Sequence, residues 1–422
     1  MVLYWASKEL ELPLFATRAW TDKAPLVSGS QAEASGTGAH RRTCLLSVPP
    51  KRDPRKGPMK ITGTRFFLIE TPRETGSISE HVMIRIDTDA GVSGWGELSD
   101  LAHGHPMNFP DFEVMEEEAN RRIAGADPRN IARTRQQLGG ILPAAFDIGL
   151  HDLLGKILDV PVCALLGGKL RDRIPFCYPI FGVDEDTIEA NIQRVQRVYD
   201  MGFKRIRKYI GGHLDAEEKF LQKLRDTFGW ELEIKSLDLS GRFYWQESLA
   251  LLERFKQYRY EMAESVAKPR DDVDGMAEVR RRVGIPISEH LGGYEQIFRY
   301  KQAGAVDICN ISTCGMGVSG CKAMFDFAHG IGLRALHGTT QELSIGTAAA
   351  AHVCAAIDRV DMPCDPAGPI LYQADCTQNP VQYEDSSVVV PEGPGLGIEV
   401  DEEMLEELRY KGTRLKQMRG DA

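Results

Sequence analysis

Short apolar segments alternate with longer amphipathic segments from Arg173 onward. The short segments have the length of strands, and the longer ones carry apolar residues at helical spacing. Strand–helix units that recur about every 20–30 residues indicate a parallel sheet with crossover helices. Seven or eight such units favour a closed barrel, and no glycine-rich turn follows the first strand, which argues against a dinucleotide-binding domain. The predicted strands are Ile174–Ile180, Lys204–Ile210, Glu231–Asp238, Tyr258–Ser265, Ile285–Glu289, Val306–Ser312 and Leu333–Gly338, and the predicted helices include Ala216–Phe228, Gln246–Gln257, Gly275–Val283 and Ser319–Gly330.

A different pattern precedes the barrel. Three segments with strand-like alternation, Lys60–Glu70, His81–Asp89 and Val92–Leu98, come before three segments of helical periodicity that end near Leu158. We therefore predict a small α+β domain over residues 59–170, a barrel over 171–385, and a C-terminal segment over 386–422 that packs on the small domain.

Charge and composition narrow the class of protein. The 422 residues include 51 basic and 61 acidic side chains, a net charge of −10, and the excess of acid argues against a nucleic-acid partner. Apolar runs are too short to cross a membrane. Residues 1–58, rich in Ser, Gly and Ala, are predicted to be a disordered extension, or sequence upstream of a start at Met59; a transit peptide stays open. The nine cysteines lack metal-site spacing, which is typical of reduced thiols in a cytoplasmic enzyme.

Three acids lie at the ends of consecutive predicted strands. Asp238, Glu264 and Glu289 are spaced 26 and 25 residues apart, about one strand–helix unit each. The carboxyl ends of barrel strands meet at one face, so these acids are expected to converge there. Oxygen ligands suit Mg²⁺ or Mn²⁺, which would relieve their mutual repulsion. The alternative is three unrelated, solvated acids.

Six stretches of the chain carry a recognisable pattern: Gly94-Trp-Gly-Glu, Ala145-Phe-Asp-Ile-Gly-Leu-His-Asp-Leu-Leu-Gly-Lys, Pro161-Val-Cys-Ala-Leu-Leu-Gly-Gly-Lys, Asp238-Leu-Ser-Gly, Gly284-Ile-Pro-Ile-Ser-Glu-His and Pro394-Gly-Leu-Gly. In these stretches and their order, the chain resembles the enolase superfamily, in its mandelate racemase / muconate lactonizing enzyme branch. The resemblance implies an α+β capping domain on a modified (β/α)7β barrel, and one Mg²⁺ per subunit on Asp238, Glu264 and Glu289. It also implies abstraction of a proton α to a substrate carboxylate, and a homo-oligomer. Ser240, Ser265 and a short Ile287-Ser288-Glu289 depart from the usual pattern.

The end of the second strand is unusual for this family. Arg207-Lys208-Tyr209 stands where a Lys-x-Lys pair is common. Strand alternation turns Arg207 and Tyr209 inward and Lys208 outward. A guanidinium and a metal ion would lower the pKa of Tyr209, so this tyrosine is a candidate base or proton relay beside Arg207. The alternative is that both residues only bind substrate oxygens and that Lys208 is a solvated charge.

A histidine ends the seventh strand. In the mandelate racemase group the catalytic histidine lies at that strand end, so the resemblance implies that His337 is a general acid or base. Its usual aspartate partner is replaced by Asn310 or Ser312, which carry no charge, so His337 would suit proton donation to a leaving hydroxyl.

The remaining candidates are predicted substrate contacts. His290 follows Glu289 and points away from the acids by alternation, and Glu342 contacts a substrate hydroxyl or caps the following helix. His103 and His105 lie in a capping-domain loop, and Ser77, Ser79 and His81 lie in or beside another.

These features predict a magnesium-dependent hydro-lyase acting on a small carboxylate, a sugar acid that loses water to give a 2-keto-3-deoxy acid. A racemase, epimerase or cycloisomerase is the alternative, and a non-catalytic metal-binding family member is a third possibility.

Overall fold

The computed structural model describes residues 57–101, 111–414 and 416. The predictions for the first 56 residues and for His103 and His105 lie outside this range. The first three strands form an antiparallel meander in chain order, and four helices of the described residues follow. The bounds are β1 Ile61–Pro72, β2 Ile78–Thr88, β3 Ser93–Leu98, α1 Phe112–Ile123, α2 Ile131–Leu138, α3 Pro143–Leu158 and the short α4 Val162–Leu165.

Seven parallel strands then form one sheet in the order β11-β10-β9-β8-β7-β6-β5, with helices between them. The strands are β5 Tyr178–Ile180, β6 Arg205–Tyr209, β7 Glu233–Asp238, β8 Tyr260–Glu264, β9 Ile287–His290, β10 Ile308–Ile311 and β11 Arg334–His337. The helices are α5 Ile188–Asp200, α6 Leu214–Phe228, α7 Trp245–Phe255, α8 Val273–Val283, α9 Tyr294–Gln302, α10 Thr313–Gly330 and α11 Ser344–Ala355.

One segment joins the two edges of this sheet. Cys364 forms a parallel bridge with Phe176, just before β5, and the backbone N–H of Asp365 donates to the carbonyl of His337 at the end of β11 (2.8 Å). The curled sheet is thereby closed by an eighth strand segment. The predicted (β/α)7β barrel with an α+β capping domain is confirmed.

One predicted strand is divided between two sheets. Residues predicted as a single strand, Ile174–Ile180, form β4 (Arg173–Pro175) and β5, which belong to separate sheets. Strand β4 pairs with β13 (Ser387–Val389), which in turn pairs with β12 (Tyr383–Glu384). The pairing partner of β4 lies more than two hundred residues away, so local pattern did not reveal the division.

The capping domain caps a barrel helix. The buried carboxylate of Glu97, in β3, accepts hydrogen bonds from the N–H groups of Leu343 and Gly346 (2.7 Å each) at the start of α11. A negative charge at a helix N-terminus satisfies free N–H donors and complements the helix dipole. The C-terminal helix α12 (Glu402–Glu407) contacts the capping domain through an Arg85–Glu402 ion pair. Across the described residues, we find no helix of the length and apolarity that a bilayer crossing requires.

Candidate active site

An arginine lies between two of the three predicted metal ligands. Asp238 and Glu264 are paired across β7 and β8 at the carboxyl ends of the strands. Nη2 of Arg207, on β6, lies 2.6 Å from Oδ2 of Asp238 and 2.6 Å from Oε1 of Glu264. Burial lowers the pKa of Arg207, but Glu264 and the other acids outweigh this effect and keep the guanidinium charged. Arg207 is 2% exposed, so its charge is balanced within the barrel.

Tyr209 stands beside this cluster, on the same strand as Arg207. The ring of Tyr209 stacks on the ring of Phe181, with 5.2 Å between the centroids. The guanidinium carbon of Arg207 lies 4.5 Å from the centre of the Tyr209 ring. Burial raises the pKa of Tyr209 well above its usual range, and Asp238 and Glu264 raise it further, while Arg207 acts in the opposite direction. In this arrangement, without a metal ion, the pKa of Tyr209 is raised and not lowered, because burial and the acids outweigh one arginine.

Strand β9 presents the opposite face from the one expected. Met262, Ile308 and Leu336 come from strands that are not all neighbours yet form one apolar cluster, so they lie inside the barrel. Asn310 follows Ile308 by two residues and pairs with His290, so both face inward. Gly338 confirms this placement, because a Cβ there would lie 2.9 Å from Cε1 of His290. His290 thus turns into the barrel, contrary to the prediction from alternation.

Glu289 turns away from Asp238 and Glu264. Its Oε1 accepts hydrogen bonds from Nη2 of Arg270 (2.6 Å), the hydroxyl of Ser265 (3.0 Å) and the N–H of His290 (2.8 Å). In its place, Nε2 of His290 lies 3.0 Å from Oε1 of Glu264. The prediction took Glu289 as the inward residue of β9, whereas the pairing of His290 with the inward-facing Asn310 places Glu289 on the outer face.

His337 lies on the outer face of the barrel. It pairs with Ile311, next to the inward-facing Asn310 and Leu336. Its Nε2 accepts a hydrogen bond from the N–H of Thr313 (3.1 Å) and contacts the Thr313 hydroxyl (2.6 Å), while Nδ1 donates to the carbonyl of Gly338 (2.6 Å). Burial lowers its pKa to about 4. The geometry is that of a neutral, structural histidine and does not match the predicted catalytic role.

The other predicted contacts divide into two groups. Both amide atoms of Asn310 are buried without a hydrogen-bond partner, as is the hydroxyl of Ser312. Glu342 instead folds back on its own loop, where Oε2 accepts from Thr339 (2.6 Å) and from the N–H of Thr340 (3.0 Å). Burial raises the pKa of Glu342 to about 7. Asn310 belongs with His290, whereas Glu342 is bound within the loop after β11.

Lys208 is outward-facing but not solvated. Its Nζ lies 2.6 Å from Oε2 of Glu217, on α6, and both side chains are fully buried. Nζ also donates to the carbonyls of Phe181 (2.8 Å) and Tyr209 (2.6 Å). Burial lowers the pKa of Lys208 to about 8, although Glu217 opposes the shift. This pair fixes the backbone next to Tyr209.

Three charged residues of the cluster escaped sequence analysis. Asp365 lies 2.6 Å from Nζ of Lys235 and 3.3 Å from Nη1 of Arg207, and Arg270 holds Glu289. Lys235 could have been recognised from the sequence, because a lysine within an otherwise buried strand requires an acidic partner. Nothing in the sequence pointed to Asp365, since its strand segment is too short to recognise.

The described residues do not fit the implied Mg²⁺. Among them, no set of three or more His, Cys, Asp or Glu side chains is arranged to hold a metal ion. Oε2 of Glu264 and Oε2 of Glu289 are buried without hydrogen-bond partners, but these two residues face opposite sides of the sheet. Arg207 lies where an ion shared by Asp238 and Glu264 would bind.

Comparison with known proteins identifies the family. Residues 63–167 match the model of the mandelate racemase / muconate lactonizing enzyme N-terminal domain, and residues 190–404 match the enolase C-terminal domain-like model. The chain is 25% identical to muconate cycloisomerase 1 of Acinetobacter baylyi, over 78% of this chain and 91% of that protein. It is 27% identical to D-galactarolactone cycloisomerase of Agrobacterium fabrum, over 83% and 99%.

A solved structure has the same fold. The N-succinyl Arg/Lys racemase from Bacillus cereus superposes with a TM-score of 0.75 at 21% identity, covering 83% of this chain and 98% of that one. The two family models together span most of the described residues. The chain belongs to the enolase superfamily, in its mandelate racemase / muconate lactonizing enzyme branch.

Proposed function

We propose that this chain is an isomerase that moves a proton at the carbon α to the carboxylate of a small substrate. The relatives named above are cycloisomerases and a racemase, so the isomerase alternative is favoured over the predicted sugar-acid dehydration. The observation that carries the proposal is the His290–Glu264 pair, which faces Arg207 inside the carboxyl end of the barrel.

His290 is the proposed base. Nε2–H donates to Oε1 of Glu264 at 3.0 Å, a tautomer assigned from this hydrogen bond. The carboxylate orients the ring and stabilises the imidazolium that forms, which leaves Nδ1 to accept the substrate proton. The imidazole is about one-third exposed, at 31%, so it is open to a substrate, whereas His337 is fully buried.

Tyr209 is the proposed proton donor. It ends β6, and His290 ends β9, three positions away in the curled sheet. Burial and the nearby acids keep the phenol protonated, which suits donation rather than abstraction. A base and an acid on separate strands can serve different faces of one carbon, as inversion requires.

Arg207 and Asn310 supply the groups for an anionic substrate. Nε of Arg207 and both amide atoms of Asn310 are buried without hydrogen-bond partners. Unpartnered buried donors are costly unless a ligand satisfies them. They would bind the carboxylate and stabilise the charge that develops on it when the α proton leaves. No step of this proposal uses Mg²⁺.

A substrate panel tests the reaction class. Single enantiomers of N-succinyl amino acids, muconates, sugar-acid lactones and aldonic acids would be incubated with the protein, and optical rotation and keto acid would be followed together. Isomerisation without keto acid supports the proposal. Formation of 2-keto-3-deoxy acid would show a dehydratase instead, and a chain inactive on every substrate would favour the non-catalytic alternative.

A further inference from the structure

Enzymes of the mandelate racemase / muconate lactonizing enzyme family generally use Mg²⁺. In this chain we propose that Arg207 is the resident cation of the Asp238–Glu264 pair, so that the site binds no divalent metal. The inference concerns cation binding and does not rest on the proposed reaction.

The guanidinium neutralises the two acids directly. A single nitrogen, Nη2, lies 2.6 Å from one oxygen of Asp238 and 2.6 Å from one oxygen of Glu264. These are charge-assisted hydrogen bonds, the strongest that these groups make. An ion that bridged Oδ2 of Asp238 and Oε1 of Glu264 would have to displace this nitrogen, which already contacts both oxygens.

Arg207 also lies beside a third acid, Asp365. Its Nη1 lies 3.3 Å from Oδ2 of Asp365, and Oδ1 of Asp365 accepts from Nζ of Lys235 (2.6 Å). Charges therefore alternate from Lys235 through Asp365 and Arg207 to the acid pair. Two fixed cations already balance most of the charge of three acids, which removes the excess of negative charge that draws a divalent ion into such a site.

Arg207 is buried beside the two acids, and its charge is compensated there and not by solvent. It is 2% exposed, and its guanidinium packs over the Tyr209 ring. Withdrawal from the acid pair would leave Asp238 and Glu264 buried without a counterion, and a divalent ion beside a retained guanidinium would be repelled in a poorly screened interior.

The third expected ligand is also committed elsewhere. Glu289 accepts from Arg270, from Ser265 and from the His290 backbone. His290 occupies the corresponding inward position, where it contacts Glu264. Two carboxylates, both bound by Arg207, therefore face the inside of the barrel, whereas the implied metal site needs three carboxylates around an ion.

Manganese binding tests the inference, because free Mn²⁺ is measured by its electron paramagnetic resonance signal without any substrate. We expect the wild-type chain to show no saturable Mn²⁺ site and no change in unfolding temperature between EDTA and excess Mg²⁺. Wild type that binds Mn²⁺ saturably, with the site lost in Glu264→Gln, would overturn the inference whatever the variants do.

Arg207→Met supplies the complementary measurement. Loss of the charge should create a saturable Mn²⁺ site that wild type lacks, with at least about tenfold more Mn²⁺ bound than by wild type at the same free concentration, because repulsion by the guanidinium is removed. Glu264→Gln in the Arg207→Met background should abolish the new site. Arg205→Met is the matched control: Arg205 lies on the same strand but pairs with Glu233, and its loss should create no site.

The variant remains informative if it is unstable. A chain that unfolds in EDTA and is restored by Mn²⁺ would support the inference, since metal would then replace the missing charge. A folded Arg207→Met chain, verified by circular dichroism, that binds Mn²⁺ no better than wild type would contradict it.

Discussion

The imidazole Nε2 of His290 lies 3.0 Å from Oε1 of Glu264, inside the carboxyl end of the barrel. Glu289, one residue earlier, lies on the other face of the strand and binds Arg270. A single position in β9 therefore separates a residue of the proposed site from a residue of the outer packing. The proposed chemistry depends on this order, because a carboxylate beside the ring orients it and stabilises its protonated form.

Replacement of His290 should remove the base. His290→Gln is expected to lower turnover by about 10²–10⁴-fold while the fold is kept, which is the usual contribution of a positioned acid or base. Steady-state kinetics and circular dichroism would measure both. His329→Gln is a matched control. His329 lies on helix α10, away from the proposed site, and its Nε2 forms a similar pair with Oδ2 of Asp361 (2.9 Å). Full activity of His290→Gln would refute the assignment.

Replacement of His337 should affect stability rather than turnover. Phenylalanine fills a similar volume but leaves the N–H of Thr313 and the carbonyl of Gly338 without their partner. Each buried unsatisfied group costs about 1–3 kcal/mol, so His337→Phe should lower the free energy of unfolding by at least that amount. Urea denaturation would measure the loss. A variant of unchanged stability that has lost turnover would restore the catalytic interpretation of His337.

Tyr209→Phe should lower turnover without destabilising the barrel. The stack on Phe181 and the contact with Arg207 involve the ring, which phenylalanine keeps. Only the proton donor is lost, and we expect a decrease of about 100-fold or more. A raised KM with unchanged kcat would instead indicate a binding role, so kcat and KM are measured separately.

Stability should depend on pH between about 4 and 7 through three buried groups. Burial lowers the pKa of His337 and of His352 to about 4 from 6.5, so the unfolded chain binds protons that the folded chain does not. Their contribution is present above pH 6.5 and is lost as the pH falls toward 4, by roughly 3 kcal/mol for each ring. Glu342, with its pKa raised to about 7 from 4.5, acts in the opposite direction and loses stability as the pH rises.

Variants separate these opposing contributions. His337→Phe should flatten the fall in unfolding free energy below pH 6.5, and Glu342→Gln should make that fall steeper. Urea denaturation across the pH range measures both slopes. A Glu342→Gln slope that matches wild type would show that Glu342 does not titrate with a raised pKa.

The Lys208–Glu217 pair should be important for stability. Lys208→Met leaves the carboxylate of Glu217 buried without its counterion, at a cost of about 3–5 kcal/mol. The exposed pair Lys219–Glu185 has the same 2.6 Å separation, yet Lys219→Met should change stability by no more than about 1 kcal/mol. Equal effects of the two substitutions would contradict this account of burial.

The sequence was most informative where pattern is local and periodic. Barrel strands such as β7 and β8 were predicted within about two residues, because strand–helix alternation repeats along the chain. The direction in which each side chain faces, into or out of the barrel, was predicted less accurately. Alternation requires that Glu289 and His290 face opposite sides of β9, but only the pairing of His290 with Asn310 on the neighbouring strand shows which of the two points inward. The partners of Arg207 include Asp365, which only the closed barrel brings near.

Proton exchange at the α carbon is the direct measurement of the proposed chemistry. The protein would be incubated in ²H₂O, with EDTA present, with each carboxylate of the panel, and the α-proton signal would be followed by ¹H NMR. For wild type we expect deuterium at the α carbon without keto acid, and for His290→Gln we expect loss of that exchange. Exchange that continues unchanged in His290→Gln, or exchange that requires added Mg²⁺, would contradict the proposed chemistry.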